Sequence, residues 1–403
     1  MGLVKRMWME EQERLYHKSD DDAVCPECFS DPGIKAFIED NLECEACSVC
    51  GRRSEEPIAA TADRVSEFFL EKVGQHWEDA NDSAPYCSAE GGFLVTTWSM
   101  YEIVFDELPD IAPYKTLEWL YEHLKDDVVW CERDWRILSP GRALAVGWER
   151  FSEAVKHETR FLFFTSKRDP YESGEPFEVR PDEMLDELGR AIRKCRLVRK
   201  IPAGTRFFRV RGHKMGKRYP TPKELGPPPR QYAVSAGRMN APGIVVMYGA
   251  LEEETAFREA TGEFKFYSVA EFELLEDVLI VDLSRVPRVP SIFEDKPRES
   301  IIFLRDFKKD VSRPITPDQE VHVEYTPTQV VSEYLRHRFS NASGKTVSGV
   351  LYESAKAKGG KNVALFIESE RVEGVPSESF KPKTPLLRLL NVKERRSVPK
   401  KEL

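Results

Sequence analysis

The sequence predicts a multidomain chain: a small four-cysteine module, then an α-helical domain, then an α+β domain. Three observations carry this. Five of the eight cysteines fall between Cys25 and Cys50, and none follows Cys195. All seven tryptophans lie at or before Trp148. Proline instead crowds residues 202–229 and 287–327. Such shifts mark separately built halves, and 403 residues is long for one core. The boundaries expected are 20–55 for the cysteine module, 56–165 for the helical domain, 166–195 for a linker and connecting helix, 196–370 for the α+β domain, and 371–403 for a tail.

The helical domain is read from periodicity. Val65, Phe68, Phe69, Val73 and Trp77 recur three and four residues apart, which is one helix face. Residues 101–105, 117–124 and 143–163 continue in that style. The stretch SKRDPYESGEPFEVRPDE has Pro, Gly and charge without period and reads as a linker. A helix over 181–196 leads into short β-like runs at 206–210, 244–248, 264–272, 278–283 and 321–325. A helix from near Thr328 and a strand over 362–367 complete the α+β domain. The basic tail after about Ser377 is expected to fray.

Composition narrows the function classes. A net charge of −9 argues against broad nucleic-acid binding, yet leaves room for a few arginines that grip an anionic small molecule. Apolar runs such as 244–248 are far too short to span a bilayer. The first twenty residues have no apolar core segment and no cleavage site, so a cytoplasmic location is expected.

Cys25-Pro-Glu-Cys28 and Cys47-Ser-Val-Cys50-Gly51 form two C-x-x-C knuckles with 18 residues between them. That spacing fits a tetrahedral Zn2+ held by Cys25, Cys28, Cys47 and Cys50. Cys44, three before Cys47, could replace Cys50, but Gly51 favours the 47/50 knuckle. Four thiolates leave no open position, so this zinc would be structural. Cys87, Cys131 and Cys195 read as small buried apolar residues.

In the last domain three segments exceed what packing requires. Arg206-Phe-Phe-Arg-Val-Arg211 would put Phe207, Arg209 and Arg211 on one face of a strand. Arginines so placed can hold phosphate bidentately. Gly237-Arg-Met-Asn-Ala-Pro-Gly243 is a tight loop before the apolar run ending in Tyr248, and Glu259 follows on an acidic helix. Ser354 closes Ser348-Gly-Val-Leu-Tyr-Glu-Ser354, with Gly359-Gly-Lys-Asn-Val-Ala-Leu-Phe366 beyond it.

In this order the segments resemble the RES domain over about residues 200 to 368. The resemblance implies a fold similar to ADP-ribosyltransferases and NAD+ as substrate. Arg209, Glu259 and Ser354 would be catalytic. Arg209, Arg238, Asn240, Tyr248, Glu259 and Ser354 would bind the dinucleotide, with Tyr248 on the nicotinamide and Glu259 on its ribose. Val210 departs from the aromatic that some members carry there, which bears on substrate fit. The front half resembles the HEPN-type domain fused to some RES domains, where Arg150 and His157, seven apart on a helix, match the Arg-x₄₋₆-His ribonuclease pattern. That pair has a plainer reading as bundle contacts. The function implied is cleavage of the nicotinamide–ribose bond by water or phosphate, with an antitoxin or inhibitory protein, or the N-terminal domains, as restraint. Homo-oligomerisation is a further partner expectation; no membrane partner is expected, and nucleic acid is disfavoured. ADP-ribosyl transfer and non-catalytic NAD sensing are the alternatives.

Overall fold

The apolar repeat at 62–73 does form a helix, Ala62–Val73, with Val65, Phe69 and Val73 buried. Trp77 is not part of it. Gly74 ends the helix, and Trp77 begins the strand Trp77–Asp79, which pairs antiparallel with Trp130–Glu132. The computed structural model describes residues 15–17, 22–163, 179–262, 264–313, 321–376 and 383–397.

The chain folds as two units. The first comprises Met1–Ser139 with Val289–Arg298, and the second Pro140–Arg288 with Glu299–Leu403. In the first, the cysteine segment is not a separate module. Cys25, Cys28 and Cys47 share one core with Ile34, Val65, Phe69 and Leu120. Short helices at Pro32–Glu39 and Tyr114–Glu122 complete it, together with the three-stranded sheet of Trp77–Asp79, Trp130–Glu132 and Thr97–Trp98. Periodicity missed this sheet because its strands are two or three residues long. Phe293, from a segment more than 140 residues beyond the rest of the unit, is 3% exposed here. Its ring stacks on Phe69 at 5.4 Å.

The second unit begins with α1 (Pro140–Glu153), which runs into a π-helical turn over Ala154–Glu158. The division between units therefore falls at residue 139, and the Arg150 segment packs in the second. The other helices used below are α2 (Met184–Lys194), α3 (Glu253–Ala260), α4 (Arg298–Ser312) and α5 (Thr326–His337). Eight strands make one mixed sheet: β1 (Val198–Ile201), β2 (Arg206–His213), β3 (Met247–Ala250), β4 (Phe266–Leu274), β5 (Val278–Asp282), β6 (Gly349–Glu353), β7 (Lys361–Leu365) and β8 (Leu387–Arg396). Their order across the sheet is β8-β4-β2-β3-β7-β6-β5-β1, and only the β5–β6 pair is parallel.

Two sequence expectations fail here. The run 321–325 is a short helix, Val321–Glu324, not a strand. The basic tail does not fray over 387–396, where it pairs with β4 as the sheet edge. Its alternation is masked in sequence because an edge strand leaves most of its side chains in water. The linker expectation falls largely on 164–178, outside the described residues.

Candidate functional site

Strand alternation divides the sheet into two faces. Phe207, Met247, Leu351 and Val363 lie in the hydrophobic core on one face. On the other, Phe208 pairs with Ala250, Ala250 with Asn362, and Asn362 with Tyr352, forming one row across four strands. Tyr248 stands two residues from Ala250 on the same face. α3 lies against this face. Between them is a cavity of about 260 Å³ lined by Phe208, Arg209, Tyr248, Glu259, Tyr352 and Asn362, among others.

Glu259, in the last turn of α3, is held from one side. Its Oε1 accepts Ser354 Oγ at 2.5 Å and Asn362 Nδ2 at 2.7 Å. Oε2 takes no hydrogen bond from any described residue. The Ser354 hydroxyl in turn accepts the amides of Lys356 (3.1 Å) and Ala357 (3.0 Å), so its three bonds fill its capacity. Lys356 Nζ donates to the Glu259 carbonyl at 2.8 Å. Gly360 makes the approach of β7 to α3 workable: a Cβ there would lie 2.2 Å from Thr255 Oγ1. Sequence reasoning quoted Asn362 only as part of a motif. Its signal was the paired glycine before a strand, which marks a close backbone approach.

β2 and β3 pair at Ala250–Phe208 alone; Arg209, beside Phe208, borders the cavity at this break, while its guanidinium lies on the Phe207 and Met247 side of the sheet. Its Nη1 reaches Met247 Sδ at 3.0 Å, and no described carboxylate pairs with it. Burial and the nearby Arg211 lower its pKa to about 10, so it is still cationic at neutral pH. A half-buried guanidinium with no carboxylate partner is a feature that an anionic ligand would relieve. Arg211 does not share that setting. It donates to the Glu224 carbonyl at 2.7 Å and stacks on Tyr219 at 4.0 Å.

Burial pushes the hydroxyl of Tyr248 well above the usual tyrosine range, and that of Tyr352 likewise. Tyr248 donates to Asn240 Oδ1 at 2.7 Å and accepts the Met239 amide at 2.8 Å. Asn240 spends both amide protons on the Ser235 and Ala241 carbonyls, so it shapes the loop and fixes Tyr248 without lining the cavity. Arg238 is also outside the lining. Its guanidinium donates to the Asp310 and Arg313 carbonyls at the end of α4 and lies 5.0 Å from the Tyr325 ring.

A family model for the RES domain matches residues 206–386, and one for HEPN/RES N-terminal domain 1 matches residues 40–169. The chain thus carries a RES domain preceded by a HEPN/RES-type N-terminal domain. RES domains are associated with toxin activity on NAD and, in toxin–antitoxin systems, with antitoxin partners. No curated protein and no solved structure matches the chain. Arg209, Tyr248, Glu259 and Ser354 all fall in the RES domain and cluster at its cavity or one hydrogen bond behind it. No helix among the described residues is long and apolar enough to cross a membrane.

Within the HEPN/RES match, Arg150 lies in α1 and His157 in the π turn over Ala154–Glu158 that follows it. His157 lies 3.9 Å from Glu153, with both side chains well exposed.

The four knuckle cysteines converge. Sγ–Sγ distances are 3.7 Å for Cys25–Cys28, 3.7 Å for Cys25–Cys50 and 3.6 Å for Cys28–Cys47. A tetrahedral ion with metal–sulfur bonds of about 2.3 Å needs edges of about 3.8 Å, so four thiolates here can hold one metal ion. Gly51 closes the second knuckle at φ 73°. Cys44 stays outside the group, its backbone bridged to Ala59. Of the remaining cysteines, Cys131 is buried, while Cys87 and Cys195 are half-buried.

Proposed function

We propose that the RES domain cleaves the nicotinamide–ribose bond of NAD+ and passes ADP-ribose to water or phosphate. The observation that carries this is the one-sided grip on Glu259. With Oε1 fixed by Ser354 and Asn362, Oε2 is the oxygen left to meet a ligand beside the tyrosines. A carboxylate held through one oxygen presents the other as an acceptor. It suits the positive charge that grows on a ribose ring as its glycosidic bond breaks. Nicotinamide departs as a neutral ring carrying the bond's electron pair, so no general acid is required. The acceptor's oxygen then bonds to the anomeric carbon, and water, when it is the acceptor, releases its proton to solvent.

Tyr248 and Tyr352 offer ring faces to the cationic nicotinamide. Arg209 supplies charge for the diphosphate. A volume of about 260 Å³ is below the range of about 300–1,000 Å³ usual for whole drug-sized ligands, so the nicotinamide riboside end enters and the adenosine end stays outside. Ser354 acts as a positioning residue, its hydroxyl already saturated. Asn240 acts through Tyr248, and Arg238 is available to the diphosphate only by leaving the end of α4. The likeness to the ADP-ribosyltransferase fold belongs to this proposal, supported by the mixed sheet that opens between β2 and β3. The thiolate group suits zinc in a structural role, since all four positions are protein ligands. The substrate and the absence of any membrane-spanning helix among the described residues favour the cytoplasm, where a restraining partner would be needed.

The test is NAD+ consumption by the full chain and by Glu259→Gln, with and without phosphate, the products separated chromatographically. Nicotinamide release that vanishes in the variant supports the reading, and phosphate dependence names the acceptor. Release that persists in Glu259→Gln would sink it. Label transferred to protein would move the reading to ADP-ribosyl transfer.

A further inference from the structure

The first unit carries an exposed cluster of aromatic rings. Phe105 sits at its centre, 4.6 Å from the Tyr101 ring, 5.5 Å from Tyr114 and 5.8 Å from Tyr121. Tyr101 and Tyr121 meet edge to face at 5.6 Å. Tyr101 is 46% exposed and Tyr114 62%. The local sequence explains the grouping. Tyr114 and Tyr121, seven apart on Tyr114–Glu122, share a helix face. Phe105 lies in a π-helical turn, Ile103–Glu107, while Ile103 and Val104 point into the core. Single π turns cost regularity and recur at functional sites.

The surroundings are strongly acidic. Residues 101–127 hold eight carboxylates against two lysines. Glu118 stands one helical turn from Tyr114, and its charge raises that phenol's pKa. Asp126 accepts the Tyr121 hydroxyl at 2.8 Å. Ring faces are themselves electron-rich, so rings and carboxylates attract the same thing, a cation. Nucleic acid and anionic lipid are repelled by this surface. Because the rings touch one another, they form a platform without the hollow that an ammonium cage needs. A planar guanidinium stacks on such a platform and can also reach a carboxylate with its fork of donors.

We propose that this face docks an arginine-rich segment of a partner protein. The proposal does not depend on the reaction at the RES cavity.

The experiment uses full-length protein and fluorescence anisotropy with three labelled peptides of equal length, repeats of Arg-Ser, Lys-Ser and Glu-Ser. The arginine peptide is expected to bind about tenfold more tightly than the lysine peptide, and the glutamate peptide not at all. Tyr101→Ser/Tyr114→Ser keeps every carboxylate and is expected to weaken arginine-peptide binding by about tenfold, whereas Tyr101→Phe/Tyr114→Phe retains it. Glu118→Lys should weaken it as well. Thermal midpoints equal to wild type establish that the variants fold, as expected for exposed side chains. Equal binding by the serine double variant, or equal affinity for the arginine and lysine peptides, overturns the proposal by reducing it to net charge. Self-association in sedimentation that the serine variant abolishes would give the surface to a second copy and overturn it too.

Discussion

Asn362 gives the sharpest test of the Glu259 geometry. Asn362→Ala removes one of two donors on Oε1, a bond of 2.7 Å to a carboxylate. Hydrogen bonds to charged groups contribute about 1.5–3 kcal/mol, which converts to a loss in kcat/KM of roughly 10- to 150-fold. Ser354 still holds the carboxylate, so activity should fall without disappearing. Asn362→Asp goes further, placing a second carboxylate where the amide was. Two such groups in contact cannot both ionise readily and will share a proton. Its activity should therefore be best retained toward acid pH, where the protonated side chain still donates to Oε1, and fall as pH rises, while the alanine variant is depressed at every pH. The assay is nicotinamide release across pH 5.5–9, with NAD+ affinity measured separately by calorimetry. An alanine variant with unchanged kcat/KM, or an aspartate variant with the alanine profile, would refute the one-sided carboxylate.

Arg209→Met removes a half-buried charge that no described carboxylate pairs with, so it should raise the thermal midpoint while abolishing binding of ADP-ribose; calorimetry and a melting curve on the same sample check both signs. Cys28→Ser should lose the metal and unfold the first unit, whereas Cys44→Ser should keep one ion per chain, read by elemental analysis of the purified protein. Phe293→Ala should destabilise the first unit by about 3–5 kcal/mol in urea titration, though Phe293 lies within the RES match. By the same contact, a fragment over 195–375 would leave Phe293 without its core and would lack β8, so internal restraint is better tested in the full chain.

Local chemistry was legible in the order and spacing of residues. C-x-x-C spacing announced a metal site because two thiolates of one knuckle must meet one ion, whatever the rest of the fold. Apolar spacing located Ala62–Val73, and motif order brought Arg209, Tyr248, Glu259 and Ser354 into one hypothesis. Tertiary structure decided what depends on register and on distant partners. Cys50 joins the metal group over Cys44 because the Cys44 backbone is drawn to Ala59. Asn362 reaches Glu259 from 103 residues away because β7 pairs between β3 and β6 and Gly360 lets it close on α3. Trp77 leaves its helix for a strand, and residues 387–396 leave the tail for the sheet, because each backbone found a neighbour to bond. Periodicity records what a segment can bury, whereas a hydrogen-bonded row across strands exists only once the strands are side by side. That is why candidate residues could be listed from sequence, but neither the place of Asn362 beside Glu259 nor the oxygen that it shares with Ser354.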